Sequence, residues 1–187
     1  MDPRIERTRH AVRHATLQVL GERGYAAFTI EAVADTARVA KSTIYRHWPG
    51  KLGLIADALE TLNTQPRPQL APGTAREQID RLLEHLASAF ADSVLSACIP
   101  ALIEAGEHHP EVAEFLHGYS ARRRQTLVDV IQAGIDSGEL PSHLDAELAS
   151  LALSGPLIYC RTMTPQPFPV ARTRTLVTQV LGPPPSF

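Results

Sequence analysis

The sequence predicts an all-α protein with an N-terminal three-helix domain built round a helix-turn-helix, followed by a larger C-terminal helical domain. Three observations lead there. No segment alternates apolar and polar residues with β-branched side chains, so no sheet is expected. Outside the turns, apolar residues recur every three to four positions, as one face of a helix requires. A proline-rich stretch over residues 65–73 separates a small N-terminal part from a larger C-terminal one. The 187 residues, 44% of them hydrophobic, can bury a substantial core and suit one compact domain with a small appendage.

The first helix runs over residues 4 to 23, with Ile5, Val12, Ala15, Val19 and Leu20 on one stripe and Gly24 ending it. Tyr25 and Phe28 then plug the link to the next element. Thr29 is placed to cap a helix from Ile30 to Ala37, with Val33 and Ala34 facing inward. A second short helix covers Lys41 to Trp48 and stops before Pro49-Gly50. Its Ile44 points back toward Val33 and Val39. The fourth helix, residues 51 to 64, turns Leu52, Ile55, Leu59 and Leu62 inward. Residues 65 to 73 are rich in proline and form the best boundary in the chain. The expected domains are therefore 1–51, a connecting helix 51–64 whose tilt could carry information, and 65–187. Beyond Gly73, helices are expected near 74–91, 93–107, 110–136, 145–163 and 170–181. Pro110 suits a first helical turn, and Gly138 with Pro141 closes the long helix.

On the helix 41–48, Ile44 goes inward, and Lys41, Ser42, Thr43, Tyr45, Arg46 and His47 remain for other partners. Hydroxyls and cations for phosphates, with a few side chains for base edges, are what a major groove accepts. Charge agrees. Residues 1–51 carry nine basic against five acidic side chains, a net +4, and the rest carries nine against fifteen, a net -6. A basic head on an acidic body fits a protein that places one end on nucleic acid.

The stretch Ser42-Thr43-Ile44-Tyr45-Arg46-His47-Trp48-Pro49-Gly50-Lys51 resembles the recognition helix of the tetracycline repressor (TetR) family of bacterial transcription regulators. A Tyr, a His two residues later and a Lys four after that recur in that family. The resemblance covers roughly residues 5 to 60. It implies that Lys41, Ser42, Thr43 and Arg46 face base edges or nearby phosphates, and that Thr29, Tyr45, His47 and Lys51 clamp the phosphate backbone. Arg38 departs from the family pattern, which has Gly at the end of the first helix of the pair. Either a strained left-handed turn or a different turn follows, with an added cation near the DNA.

Other chemistries fare worse. Cys98 and Cys160 lie far apart without Cys-x-x-Cys spacing, which favours two reduced, buried thiols over a redox switch. No apolar run reaches the roughly 20 residues a spanning helix needs, and the charged N-terminus has no signal-peptide core; a cytoplasmic protein is expected. Glu107, His108, His109, Glu111 and His117 lack His-x-x-x-His on one helical face, so no metal is expected. Arg122-Arg123-Arg124 could meet an anion, but two solvated members and one ion pair is the simpler reading. No nucleophile elbow, phosphate loop or His-Glu-x-x-His is present, so an enzyme and a cofactor are not expected. Ser154-Gly155-Pro156 reads as a kink in an apolar helix.

Two terminal helices suggest a homodimer. Leu148, Ala149, Leu151, Ala152, Leu153, Gly155, Leu157 and Ile158 are apolar nearly all the way round, so this helix needs cover on several sides. Val170, Thr173, Leu176, Val177, Val180 and Leu181 repeat at helical spacing on the next. A two-fold four-helix interface is expected, with Leu148, Ala152, Gly155, Val170, Leu176, Val177 and Val180 in it. The resemblance also implies a small-molecule pocket within the C-terminal domain. Leu83, Leu86, Phe90, Leu102, Ile103, Phe115, Tyr119 and Leu127 are core first. Leu86, Phe90, Cys98, Leu102, Phe115, Tyr119 and Tyr159 are the candidate pocket lining. Of ten aromatics four lie in the DNA-binding part and Phe187 is terminal; the five left imply a mostly aliphatic pocket with few polar groups, which points to an uncharged, apolar ligand. The resulting expectation is a one-component regulator, usually a repressor, bound to a palindromic double-stranded operator and released by its ligand. The alternative is an interaction module whose helix-turn-helix is vestigial, against which the intact Tyr45, His47 and Lys51 set argues.

Overall fold

The computed structural model describes residues 3–63, 73–91 and 94–183. Among these residues every regular element is helical: α1 (Pro3–Arg23), α2 (Ile30–Ala37), α3 (Lys41–His47), α4 (Gly50–Asn63), α5 (Ala75–Ala91), α6 (Val94–His108), α7 (Pro110–Asp136), α8 (Ala146–Met163) and α9 (Thr173–Leu181). A short 3₁₀ turn, Val170–Arg172, leads into α9. Most of the expected linker, residues 64–72, lies outside the described residues. No single described helix is long and apolar enough to cross a membrane.

Packing divides the chain into two units, residues 1–65 with 94–118 and residues 66–93 with 119–187. In the first, α1 is the central element and packs on α2, α4 and α6. Val12, Ala15, Val19 and Leu20 are buried as their spacing requires. Ile5, expected on the same stripe, is exposed. The buried face of α4 comprises Leu54, Ile55, Ala58 and Leu59. Leu52 is only half-buried, and the side chain of Leu62 lies outside the described residues. From α6 and α7, Cys98, Leu102, Ala105 and Val112 are buried, whereas Ile103 is exposed. A Cβ added at Gly21 would come within 2.9 Å of the Ala97 Cβ, so α1 and α6 meet almost backbone to backbone.

The second unit gathers Ile79, Leu83, Leu127, Ile131, Leu153, Val177 and Leu181 into one core. Thr74 and Glu77 form a capping box at the start of α5: Thr74 N–H donates to Glu77 Oε2 at 2.9 Å, and Glu77 N–H to Thr74 Oγ1 at 3.3 Å. Asp145 caps α8 by accepting from Leu148 N–H at 2.9 Å. That helix continues through Pro156 to Met163.

The apolar circumference of α8 resolves into two stripes. Ala146, Ala149, Leu153 and Leu157 are buried, while Leu148, Leu151, Ile158 and Tyr159 are exposed together with Met163. Ala152 and Gly155 lie on the exposed side as well. Val177 belongs to the chain's own core rather than to an outer surface. On α9, Thr173, Val177 and Leu181 recur every fourth residue and are buried, leaving Leu176 and Val180 half-buried beside them. On so short a helix, three-to-four spacing cannot tell an inner row from an outer one.

Candidate nucleic-acid interface

The helix-turn-helix is assembled by local hydrogen bonds. Thr29 is extended (φ -132°, ψ 151°), and its side chain accepts from Ala32 N–H at 3.1 Å, capping α2. The hydroxyl expected to clamp a phosphate is thus already engaged as a cap. Arg38 follows α2 in the left-handed conformation, φ 55° and ψ 46°. Its N–H donates to the Asp35 carbonyl at 3.2 Å, and Val39 N–H to Ala34 at 3.0 Å. This is the turn that glycine usually makes, here built with a side chain present. The departure from the family pattern therefore leaves the geometry intact.

Ile44 and Trp48 anchor α3 from beneath, both buried. The Trp48 indole donates to Asp57 Oδ2 at 2.6 Å, and Arg13 grips the same carboxylate through Nε at 2.8 Å and Nη2 at 2.9 Å. One acid thereby ties α1, the end of α3 and α4 together. Burial pushes the Asp57 carboxyl up, but the hydrogen bonds from Arg13 and Trp48 outweigh it and hold the group below its ordinary range. The same carboxylate raises the Arg13 guanidinium.

With those anchors inward, Lys41, Ser42, Tyr45, Arg46 and His47 are exposed and Thr43 half-exposed. Tyr45 shows 55% of its surface, unusual for an aromatic residue without a binding role. Lys41 forms an ion pair with Glu31 of α2, which lowers the Glu31 carboxyl and raises the Lys41 ammonium. Lys51 is turned inward: its ammonium donates to the Tyr25 carbonyl and lies 3.7 Å from the centre of the Tyr25 ring. Burial lowers its affinity for the proton. The Tyr25 ring in turn meets His109, with centroids 5.2 Å apart.

Sequence reasoning did not find the Arg13–Asp57–Trp48 cluster or the Glu31–Lys41 pair. Each partner lies nine or more positions from the next, beyond the reach of helical periodicity. The remaining candidates are distributed as follows. Leu86, Phe90, Tyr119 and Tyr159 are in the second unit, and Cys98, Leu102 and Phe115 in the first. Phe90, Cys98, Leu102 and Tyr119 are buried, Leu86 and Phe115 half-buried, and Tyr159 exposed. The Cys98 thiol donates to the Leu17 carbonyl at 3.2 Å, and burial pushes its pKa up to about 12. Cys160 is only half-buried. Among the described residues no His, Cys, Asp or Glu group could hold a metal. Arg124 pairs with Glu147 at 3.1 Å.

A short capped helix joined by a tight turn to a second, with cations and hydroxyls on the outer face of the second, defines a helix-turn-helix DNA-binding protein. Residues 12–58 match the model of the bacterial regulatory proteins of the tetR family, and residues 71–180 match the tetracyclin repressor-like C-terminal domain. The chain is 32% identical over 158 residues to YdeS of Bacillus subtilis, an uncharacterized HTH-type transcriptional regulator, covering 84% of this chain and 79% of the relative. Its fold is similar to that of the transcriptional regulator FadR from B. subtilis in complex with stearoyl-CoA. The TM-score there is 0.76 at 20% identity, over 93% of this chain and 98% of that one. The fatty acid degradation regulator FadR from Bacillus halodurans gives a TM-score of 0.78 at 19% identity, over 97% and 96%. The chain belongs to the TetR family of bacterial transcription regulators.

Proposed function

We propose that the chain acts as a homodimeric repressor that binds a palindromic operator and is released by a small, mainly apolar ligand. The observation that carries the reading is the outer face of α3, where Lys41, Ser42, Tyr45, Arg46 and His47 are exposed and Thr43 half-exposed while Ile44 and Trp48 fix the helix from within. Lys41, Ser42, Thr43 and Arg46 read bases or adjacent phosphates; Thr29, Tyr45, His47 and Lys51 hold the backbone. Lys51 must exchange the Tyr25 carbonyl for a phosphate to do so. The division of labour follows residues 1–51 for DNA, 51–64 as the connection, and 65–187 for ligand and partner.

One recognition helix makes too few contacts for operator-grade affinity, whereas two held roughly 34 Å apart read both halves of a palindrome in successive major grooves. The exposed stripe of α8 supports the dimer, with Leu148, Ala152 and Gly155 on it and Val170, Leu176 and Val180 from the next segment. A ligand that favours another spacing lowers operator affinity by its differential binding to the two states. Within the second unit, Leu86, Phe90 and Tyr119 supply apolar surface suited to an uncharged ligand, and an apolar chain is the first class to screen. The stearoyl-CoA bound by FadR of B. subtilis carries such a chain, on an anionic coenzyme A head.

The test is fluorescence anisotropy with a duplex selected by the protein from a random library, against a scrambled duplex of equal length, across a salt series. Selective binding that weakens steeply with salt supports the reading. Weak, unselective binding at every salt concentration contradicts it and favours an interaction module. Tyr45→Ala is expected to weaken binding by about 1–2 kcal/mol on both duplexes, as loss of a phosphate hydrogen bond would. A loss confined to the selected duplex would move Tyr45 to base reading.

A further inference from the structure

A cleft of about 230 Å³ opens between the start of α1 and the outer face of α3, lined by Ile5, Thr8, Arg9, Thr43, Arg46 and His47. Half of its lining is the DNA-facing side of α3; the other half precedes residue 12, where the match to the DNA-binding family model begins. We infer that this cleft seats a phosphate of the DNA backbone, gripped by Arg9 of α1 opposite Arg46 of α3. The inference rests on the DNA-binding reading above.

Charge and shape both fit. Arg9 and Arg46 place two permanent cations on facing walls, His47 adds a third donor, and Thr8 and Thr43 bring hydroxyls. No carboxylate lines the cleft. Ile5 is exposed at its edge and forms the apolar wall that a deoxyribose can cover, which accounts for an isoleucine left outside the α1 core. The guanidinium of Arg9 is also under-used. Its Nε is buried without a hydrogen bond, and its Nη1 stands 3.9 Å from Glu6 Oε1, too far for one. A phosphate oxygen entering the cleft offers the exposed edge of this guanidinium the partner that Glu6 stands too far away to be. The Glu6 carboxylate opposes the anion, as does the more distant Asp57 carboxylate, which also feels the Arg9 charge.

The experiment uses the full-length protein and the two duplexes described above. Arg9→Ala is expected to lower affinity about tenfold on the selected and the scrambled duplex alike. The slope of log affinity against log salt should become shallower by about two, one phosphate contact being lost in each half-site of the dimer. Glu6→Gln should strengthen binding a few-fold on both. Arg23→Ala, about 21 Å further along α1 at 1.5 Å per residue, removes an equal charge outside the cleft and should leave the slope unchanged. Unfolding curves of each variant establish that the fold is retained. If Arg9→Ala changes neither affinity nor slope while Tyr45→Ala still weakens binding, the cleft proposal is overturned and the DNA-binding reading stands. A loss restricted to the selected duplex also overturns it, since Arg9 would then touch a base. Failure of the wild-type protein to bind any duplex selectively removes both.

Discussion

Arg38 occupies backbone space that costs a residue with a Cβ about 1–2 kcal/mol, yet the turn it makes is complete, with both carbonyl partners in place. Replacing it isolates the two consequences of that choice. Arg38→Gly should relieve the strain and stabilise the fold by about 0.5–1 kcal/mol, because the gain is offset in part by the entropy of glycine in the unfolded chain. A rise of a few degrees in Tm would register it. DNA affinity should fall slightly, since an exposed cation at the helix-turn-helix is lost. A lower Tm would mean that the arginine side chain itself stabilises the turn. Other residue-level assignments divide by exposure. Tyr45 stands out in solvent and was legible from its place in the motif. Lys51 was legible as a cation but not as one folded back on Tyr25, because the partner is a backbone carbonyl that no pattern of side chains announces.

Between elements, the carboxylate of Asp57 holds α1, α3 and α4 in register through Arg13 and Trp48. Its folded-state proton affinity is depressed below the ordinary value of 3.8. The stability it supplies is therefore present in full above that value and disappears as pH falls through the folded-state value. Asp57→Asn should cost about 1–2 kcal/mol at neutral pH, from loss of the charge-assisted bonds to Arg13. The difference from wild type should begin to shrink as pH drops below 3.8, where the unfolded-state carboxylate protonates, and be smallest below the depressed folded-state value, where the native carboxylate is protonated too. Denaturant titrations at neutral and acid pH read this directly, and an undiminished difference in acid would assign the effect to shape rather than charge. Helix boundaries themselves were nearly all legible, since Gly24, Pro49-Gly50, Pro110 and Gly138 each stand at an end. The rotation of α4 was not. Leu52, Leu54, Ile55, Ala58 and Leu59 offer two overlapping apolar stripes, and only the neighbours decide that Leu54 and Ala58 turn inward while Leu52 stays half-buried.

For the molecule as a whole, the proposed homodimer makes α8 the element with two obligations. Ala149, Leu153 and Leu157 fill its own core, and Leu148, Leu151, Ile158 and Tyr159 wait on the other side. Leu148 and Met163 are 65% and 72% exposed, and the stripe at positions 148, 151, 155 and 158 follows one helical face. Leu151→Glu places a charge in the middle of that face, away from the core. It should convert a dimer to a monomer by sedimentation or light scattering, with Tm changed little beyond the loss of the partner. Selective DNA binding should drop by orders of magnitude, since each half-site is then held alone. An unchanged sedimentation coefficient would place the interface elsewhere. Composition announced that α8 needed cover on two sides but not which residues served which, because both stripes are built from the same small and aliphatic types.

The near-contact of Gly21 with Ala97 has a mechanical side. Two helices separated by long side chains can slide past each other by small repacking of the layer between them. At Gly21 no such cushion exists, because a single methyl group would already collide. Here α1 and α6 behave as a hinge without play, so whatever displaces α6 must carry the start of the DNA-binding bundle along with it.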